Sequence, residues 1–383
     1  MSFKEKLLLA LFFVTMLTSL WTNNIYVLVL FSVACWGLLP NRWWDGICVS
    51  LLAFSVLYVL TEFVNGTSSS GFISLSILLS PVAFYRFGRW LMQTFKSDAE
   101  RFKIIFLSVF CYLLPLFLLT GQDIALVGII NETRMMLSDM VNGSEHTLSA
   151  TLYGLMSSVG IGCIAILFTR RTNIREKIMF ASIVALSLLV VIHLVNRTGL
   201  IILGCCILFS LYYSARINAY NVLFIVFIST LLIMLILNSG LIGQDLIDAY
   251  ANREVNDTSN SAALGGRTVR WEAGISDLLT HPFGWDMPIY GYAHNLWIDL
   301  AKIGGWGSLF AFLFATLSTL KNCFRIIRKN KDDFSVVSMS VVLAMFMNAF
   351  VEPVIEGSML FLSIFLMFWG IIKAVSVESL DKH

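Results

Sequence analysis

Long apolar runs dominate the chain, and short polar connections separate most of them. Runs such as 178–195 and 221–239 are apolar on every side of a helix, which is typical of segments that cross a membrane. The strands of a transmembrane β-barrel instead alternate apolar and polar side chains over about ten residues. We therefore predict an all-α protein, a polytopic transmembrane helical bundle. About twelve spans are predicted, at about residues 7–21, 25–39, 46–64, 72–87, 104–122, 147–169, 178–195, 200–214, 221–239, 294–319, 335–352 and 358–375.

The composition supports this interpretation of the pattern. Of the 383 residues, 58% are hydrophobic and 13% are charged, and the mean hydropathy is +0.82. Soluble domains carry about 25% charged residues, so these values exclude a water-soluble globular protein. Because we find no internal repeat and no separate soluble domain, residues 1–383 are predicted to form a single integral membrane domain.

The positions of Lys and Arg predict the orientation, because positive residues near span ends are retained on the cytoplasmic side. With the N-terminus inside, 20 of the 26 Lys and Arg residues lie on the inner side, so both termini are predicted to be cytoplasmic. The basic run 321–331 is interpreted as an anchor beside anionic head groups. The predicted outer side keeps five arginines, namely Arg134, Arg197, Arg253, Arg267 and Arg270.

Two predicted outer connections are long, about 123–146 and about 240–293, and the second joins the ninth and tenth spans. Long connections in a compact protein are usually functional or disordered. Within the second, the residues from Arg267 to Leu279 have the pattern of a short amphipathic helix. Pro282 disfavours helix at His281, the residue before it, and so predicts the end of that helix. We expect function to concentrate in this segment.

Arg267 and Arg270 are three residues apart in the predicted helix, so their side chains share one face. Two planar guanidinium groups side by side match the oxygens of a phosphate or diphosphate. Arg197 lies in a four-residue outer turn, at a similar predicted depth. The alternatives are pairing of the helix arginines with Glu272, Asp277 or lipid phosphates, and an Arg197 side chain that only reaches the interface.

His294 begins the tenth span at its predicted outer end. Histidine has an ordinary pKa of about 6.5 and accepts a proton at neutral pH, so His294 is a candidate base for a substrate hydroxyl. The alternative is an interfacial residue in an aromatic belt. His193, inside the seventh span, is predicted to be a satisfied packing residue. The five histidines are scattered without paired ligands, so neither a metal site nor a cofactor is predicted.

Two further features of the outer side have a structural and a functional interpretation. The sequence Gly304-Gly305-Trp306-Gly307 in the tenth span allows close approach of a helix or a substrate, and helix packing is the preferred interpretation. Glu352 and Glu356 flank Pro353 at an outer turn. They are candidates for an acid/base pair, but a solvated turn is preferred.

The candidate residues follow one another in a recognisable order. An outer-turn arginine is followed by an Arg-x-x-Arg helix, a Gly-Trp stretch, and a His-Asn pair that heads a span with a glycine ten residues on. The set is Arg267, Trp271, Pro282, Gly284, His294, Asn295 and Gly304. It resembles the O-antigen polymerase and ligase superfamily, bacterial membrane glycosyltransferases of the GT-C type. The resemblance covers residues 265–307, about a tenth of the chain, with support from Arg197 and the predicted topology.

The resemblance implies a metal-independent, inverting glycosyl transfer from an undecaprenyl-diphosphate-linked glycan. Arg267 and Arg270, with Arg197 as a further candidate, would stabilise the charge that develops on the diphosphate. His294 would orient or deprotonate the attacking hydroxyl. The supporting residues of the motif are Asn295, Gly304 and Trp271.

The resemblance also implies a location and partners. The protein is expected in the bacterial inner membrane, with its active site and both long loops facing the periplasm. The implied partners are an undecaprenyl-diphosphate-linked oligosaccharide, a glycan acceptor and the membrane, with a chain-length regulator as a further candidate and no nucleic acid.

Three activities remain open at this stage. A polymerase, the preferred interpretation, joins lipid-linked repeat units to each other, and a ligase transfers the finished glycan to lipid A-core. Both need the arginines and the histidine. A transporter (flippase) for the same lipid-linked glycan is the third, and it predicts ionisable residues along a path through the membrane.

Overall fold

The computed structural model describes residues 1–20, 24–40, 44–66, 71–131, 135–138, 146–215, 267–285, 291–329 and 332–381. These residues form helices and one antiparallel pair of four-residue strands, in which Met135 pairs with Ser149 and Ser138 with His146. A 3-10 segment, Cys163–Phe168, continues α6. In chain order the elements are α1 (Phe3–Leu17), α2 (Asn24–Leu38), α3 (Gly46–Val64), α4 (Gly71–Thr94), α5 (Asp98–Val127), β1 (Met135–Ser138), β2 (His146–Ser149), α6 (Ala150–Gly162), α7 (Ile174–His193), α8 (Arg197–Ala215), α9 (Arg267–Thr280), α10 (Leu296–Lys329), α11 (Asp333–Val351), α12 (Val354–Gly357) and α13 (Met359–Asp381).

The helical membrane architecture is confirmed at a coarse level. Eight helical segments of the described residues are long and apolar enough to span a membrane: Gly46–Val64, Gly71–Thr94, Asp98–Val127, Thr151–Phe168, Ile174–His193, Leu296–Lys329, Asp333–Val351 and Met359–Glu378. Helices α1, α2 and α8 overlap the predicted spans that begin near residues 7, 25 and 200. The predicted span 221–239 lies outside the described residues, as does most of the long connection 240–293. The total of twelve spans and the cytoplasmic termini stay predictions.

Several helices run beyond the predicted spans. Helix α5 continues to Val127, into the range 123–146 predicted as an outer connection, and α10 continues through the basic run to Lys329. The basic residues of this run up to Lys329 therefore lie within the last turns of α10. This is favourable because a helix C-terminus carries partial negative charge.

Helices α3, α4, α10 and α13 pack together through aromatic rings and close backbone contacts. The ring of Phe312 in α10 lies 5.0 Å from that of Phe54 in α3 and 5.5 Å from that of Trp369 in α13, measured between centroids. Gly88 of α4 and Gly370 of α13 each leave no room for a Cβ, because the backbone of the other helix occupies that position. Small residues at such crossings allow membrane helices to approach closely.

One end of the bundle contains the C-terminal ends of α5, α7 and α11 and the starts of α6, α8 and α10. We call it the outer end, after the orientation predicted from the sequence. The carbonyl of Gly154 in α6 accepts a hydrogen bond from the Asn348 side chain of α11 at 2.9 Å. A Cβ on Gly154 would collide with the side chain of Asn196, which precedes α8. These contacts place the ends of α6, α8 and α11 side by side.

His193 at the end of α7 is a fully buried, hydrogen-bonded packing residue, which confirms the prediction for it. Its Nε2 lies 2.7 Å from the carboxylate of Asp123 in α5, and its Nδ1 lies 2.9 Å from the carbonyl of Ile129. Asn131 donates to the same carboxylate and, through its backbone N–H, to the carbonyl of His193. The histidine therefore ties the chain after α5 to the end of α7.

Helix α10 is broken at Gly305, where φ is 65° and ψ is −171°. In an unbroken helix the N–H of Trp306 would donate to the carbonyl of Lys302. Here the segment after α9 satisfies both groups, because Trp306 donates to Pro282 at 2.9 Å and Lys302 accepts from Trp285 at 2.8 Å. A break inside a membrane helix requires such replacement partners. The residues 282–285 are therefore part of the helix break.

We expect Gly305→Ala to lower the free energy of unfolding by about 2–4 kcal/mol, since an alanine at this positive φ costs about 1–3 kcal/mol and the disturbed hydrogen bonds of the break cost about 1 kcal/mol more. A Cβ at this position would lie 2.5 Å from the carbonyl oxygen of Pro282. Thermal unfolding of the protein in detergent measures the effect. Gly37→Ala is the matched control, because its Cβ meets nothing within 4 Å. Equal melting temperatures for the two variants would contradict the role of Gly305.

Candidate functional site

The predicted amphipathic helix is present as α9, from Arg267 to Thr280, and it ends before His281 and Pro282 as expected. It packs on the first half of α10, where a Cβ on Gly274 would lie 2.6 Å from the Ile298 side chain. The indole N–H of Trp306 also donates to the carbonyl of Leu278 at 2.6 Å. These contacts hold α9 against both sides of the break in α10.

The start of α10 is held by two side chains. The Asn295 carboxamide oxygen accepts from the backbone N–H groups of Trp297 at 3.1 Å and Ile298 at 3.3 Å, which is the geometry of an N-cap. The buried carboxylate of Asp299 accepts from the N–H groups of Ala293 at 2.6 Å and Asn295 at 3.0 Å. The backbone is thus fixed on both sides of residue 294.

His294 adopts a left-handed conformation, with φ of 57°. Such a φ is uncommon outside glycine, although histidine tolerates it better than most residues. It persists because Asp299 binds the N–H groups before and after it. The ring of Tyr292 packs edge-on against the imidazole, with 4.8 Å between centroids. The imidazole direction is therefore set by the backbone and by an aromatic neighbour.

Glu352 directly follows α11 and is buried, with 5% of its side chain exposed. Its N–H donates to the carbonyl of Asn348 at 2.9 Å, which continues the last turn of the helix. The Asn295 amide donates to the carbonyl of Phe350 at 3.2 Å, so the end of α11 is joined to the start of α10. This contact brings Glu352 next to His294.

Three side chains converge at the outer end: Arg267 at the start of α9, His294 just before α10 and Glu352 just after α11. Oε1 of Glu352 lies 2.7 Å from a guanidinium nitrogen of Arg267, and Oε2 lies 3.6 Å from Nδ1 of His294. Arg267 and His294 are 19% and 15% exposed. The longer distance exceeds that of a hydrogen bond, and neither of its two atoms has a hydrogen-bond partner among the described residues. We call these residues the outer triad.

The interpretation of Glu352 as part of a solvated turn is wrong, because the structure buries its carboxylate between an arginine and a histidine. The sequence carried one signal for this: an acidic residue directly ends an apolar span on the side where arginines are scarce. An ionised carboxylate in such a setting requires a cationic or hydrogen-bonding partner. The side chain of Glu356 lies outside the described residues.

The other predicted site residues take different positions around the outer triad. Arg270 is one turn after Arg267 in α9 and partly buried. Trp271 has a buried indole nitrogen without a hydrogen-bond partner among the described residues. Arg197 begins α8, next to Asn196. Its place in a shared anion site stays a prediction.

Gly304 packs as the sequence predicts. A Cβ at this position would lie 2.8 Å from the ring of Tyr58 in α3. The neighbouring Gly305, in contrast, forms the helix break rather than a packing surface. The Gly-rich motif therefore combines a close helix contact with a backbone break.

The arrangement has two chemical capabilities. Arg267 presents guanidinium donors to an anion, and His294 offers a ring nitrogen that can accept a proton, with a carboxylate between them. Among the residues that the structure describes, no three His, Cys, Asp or Glu side chains are grouped as metal ligands.

No protein-family model matches the chain, and no curated protein matches it either.

Proposed function

We propose that the protein is an O-antigen or surface-polysaccharide polymerase of the bacterial inner membrane, which joins undecaprenyl-diphosphate-linked repeat units on the periplasmic side. The observation that carries the proposal is the outer triad, in which Arg267 and His294 share the carboxylate of Glu352. An anion-binding arginine and a base, side by side at one end of a membrane bundle, suit a substrate that is itself held in the membrane by a lipid diphosphate.

In the proposed reaction the acceptor hydroxyl attacks the anomeric carbon of the donor glycan. The new bond joins that carbon to the acceptor oxygen, and the bond from the carbon to the diphosphate oxygen breaks. The diphosphate leaves with the electron pair of that bond, and the hydroxyl proton moves to His294. Attack from the face opposite the diphosphate inverts the anomeric configuration.

The arginines act on the leaving group. Negative charge grows on the bridging oxygen as the bond breaks, and guanidinium donors fixed beforehand stabilise it without reorganisation. Removal of one such donor costs about 10²–10³ in rate in enzymes that stabilise an oxyanion. Helix α9 and the break in α10 supply the rigid support, because Gly274 of α9 packs on Ile298 before the break and Leu278 binds Trp306 after it.

Deletion of the gene in the native host tests the proposal. We expect lipopolysaccharide whose core carries a single repeat and no ladder on a gel, because unlinked repeats can still be transferred. The undecaprenyl-linked pool is assayed in the same cells. Bare core with long polymer still on the lipid carrier would identify a ligase instead. Single lipid-linked repeats retained on the cytoplasmic side would identify a transporter, and an unchanged ladder would contradict all three activities for this glycan.

A further inference from the structure

Glu352 is the centre of the outer triad, and each of its oxygens is directed to a different partner. Oε1 contacts Arg267 at 2.7 Å and Oε2 approaches Nδ1 of His294 at 3.6 Å. The first contact is a charge-assisted hydrogen bond, and the second is about 0.6 Å too long for a good one. The carboxylate is thus bound to the arginine and poised beside the histidine.

An incoming diphosphate and this carboxylate compete for the same guanidinium. Both are anions, and a buried carboxylate loses little of its charge interaction to solvent because 5% of the side chain is exposed. When Arg267 turns to a diphosphate, Glu352 needs a new partner, since a buried carboxylate without one is costly. His294 can be that partner, because its Nδ1 lies 3.6 Å from Oε2 of Glu352.

We propose that Glu352 is a positioning residue that occupies Arg267 in the free protein and passes to His294 when an anionic diphosphate binds Arg267. Closing the gap between Oε2 and Nδ1 by less than 1 Å gives a Glu–His hydrogen bond. This bond fixes the proton on Nδ1, so that Nε2 is the nitrogen that accepts the hydroxyl proton. The anion exchange stands on geometry alone, and its catalytic consequence rests on the proposed function.

The other charged and titratable groups around His294 do not compete with Glu352 for its Nδ1 proton. In the described residues, Arg267 faces it from α9, Glu352 from the end of α11, and Tyr292 and Asp299 belong to its own segment. The Asp299 carboxylate is bound to two backbone N–H groups. Of the carboxylates that the structure describes, Glu352 is therefore the one placed to pair with the imidazole.

Glu352→Gln separates the exchange from a structural role, because it changes binding and transfer in opposite directions. Inorganic pyrophosphate is titrated into the purified full-length protein in detergent by calorimetry. We expect at least about fivefold tighter binding, because the internal anion that competes for Arg267 is gone, and the coupling between such sites is typically 5–150-fold. Arg267→Gln is expected to weaken pyrophosphate binding at least about tenfold.

Transfer is measured in membranes of the deletion strain with the host's own lipid-linked repeat. We expect Glu352→Gln to slow transfer at least about tenfold, because the imidazole loses the carboxylate that orients its Nδ1 proton. Glu352→Asp should restore part of the rate, since it keeps the charge. A destabilised protein would instead lose both binding and transfer.

Glu378→Gln is the matched control, because Glu378 pairs with Arg101 at 2.6 Å at the opposite end of the bundle. We expect it to leave pyrophosphate affinity unchanged. Unchanged or weaker pyrophosphate binding by folded Glu352→Gln would overturn the exchange. Tighter binding by Glu352→Gln together with normal transfer by Arg267→Gln and His294→Asn would instead overturn the proposed function and leave the exchange standing.

Discussion

Arg267→Lys is expected to lower the rate of glycan transfer by about 100-fold while the protein folds normally. Lysine keeps the positive charge but presents a single ammonium group in place of a planar fork with five donors. In the structure a guanidinium nitrogen binds Glu352 at 2.7 Å. Once released from this carboxylate, the fork can bind two oxygens of a diphosphate, which a single ammonium group cannot match. The rate is measured in membranes that contain the lipid-linked repeat.

Arg270→Lys extends this test to the second arginine of α9, and it should also lose much of the activity if both forks bind the diphosphate. The matched control is Arg328→Lys, in the last turn of α10 at the opposite end of the bundle. That variant is expected to transfer at the normal rate. Near-normal product from both α9 variants would remove the bidentate binding of a diphosphate from the proposed mechanism.

The helical part of the structure could be predicted because its signals are local. Apolar runs located the helices without tertiary information, since the bilayer requires every buried backbone group to be satisfied within a helix. The amphipathic pattern after residue 266 and Pro282 likewise predicted α9 to within one residue of its observed end at Thr280. Helix ends were less accurate, because charged residues such as Lys321 continue a helix beyond the apolar run.

The helix break could not be predicted, because it depends on pairing between distant parts of the chain. The Gly-rich sequence around Gly305 predicts close packing equally well. The break is stabilised by a segment some twenty residues earlier, in which Pro282 supplies an acceptor and Trp285 a donor to the backbone groups that the break leaves unpaired in α10. Nothing in the local pattern of either segment specifies that contact.

The candidate site was predictable only where its signals are local to the sequence. Arg267 and His294 stand out because charged and titratable groups are scarce on the predicted outer side. Glu352 was misinterpreted, since a carboxylate after an apolar span is as typical of a solvated turn as of a buried partner. Its role follows from the hydrogen bond of Asn295 to Phe350, which aligns α10 with α11. That alignment is a tertiary property.

His294→Asn is expected to lower the transfer rate by about 10²–10⁴-fold across neutral pH, the usual contribution of a general base. Asparagine is the appropriate replacement because it tolerates the left-handed backbone that His294 adopts at φ of 57°. The fold and the start of α10 are then retained, and only the proton acceptor is removed.

The matched control is His281→Asn, an exposed histidine that contacts Thr280 and Asp277 and lies outside the outer triad. Raising the pH towards 8 cannot restore a base that has been removed. The transfer rate of the variant should therefore stay low at every pH from 6 to 8. Full activity of His294→Asn from pH 6 to 8 would show that another group takes the hydroxyl proton, and Arg267 would then remain as the anion-binding half of the site.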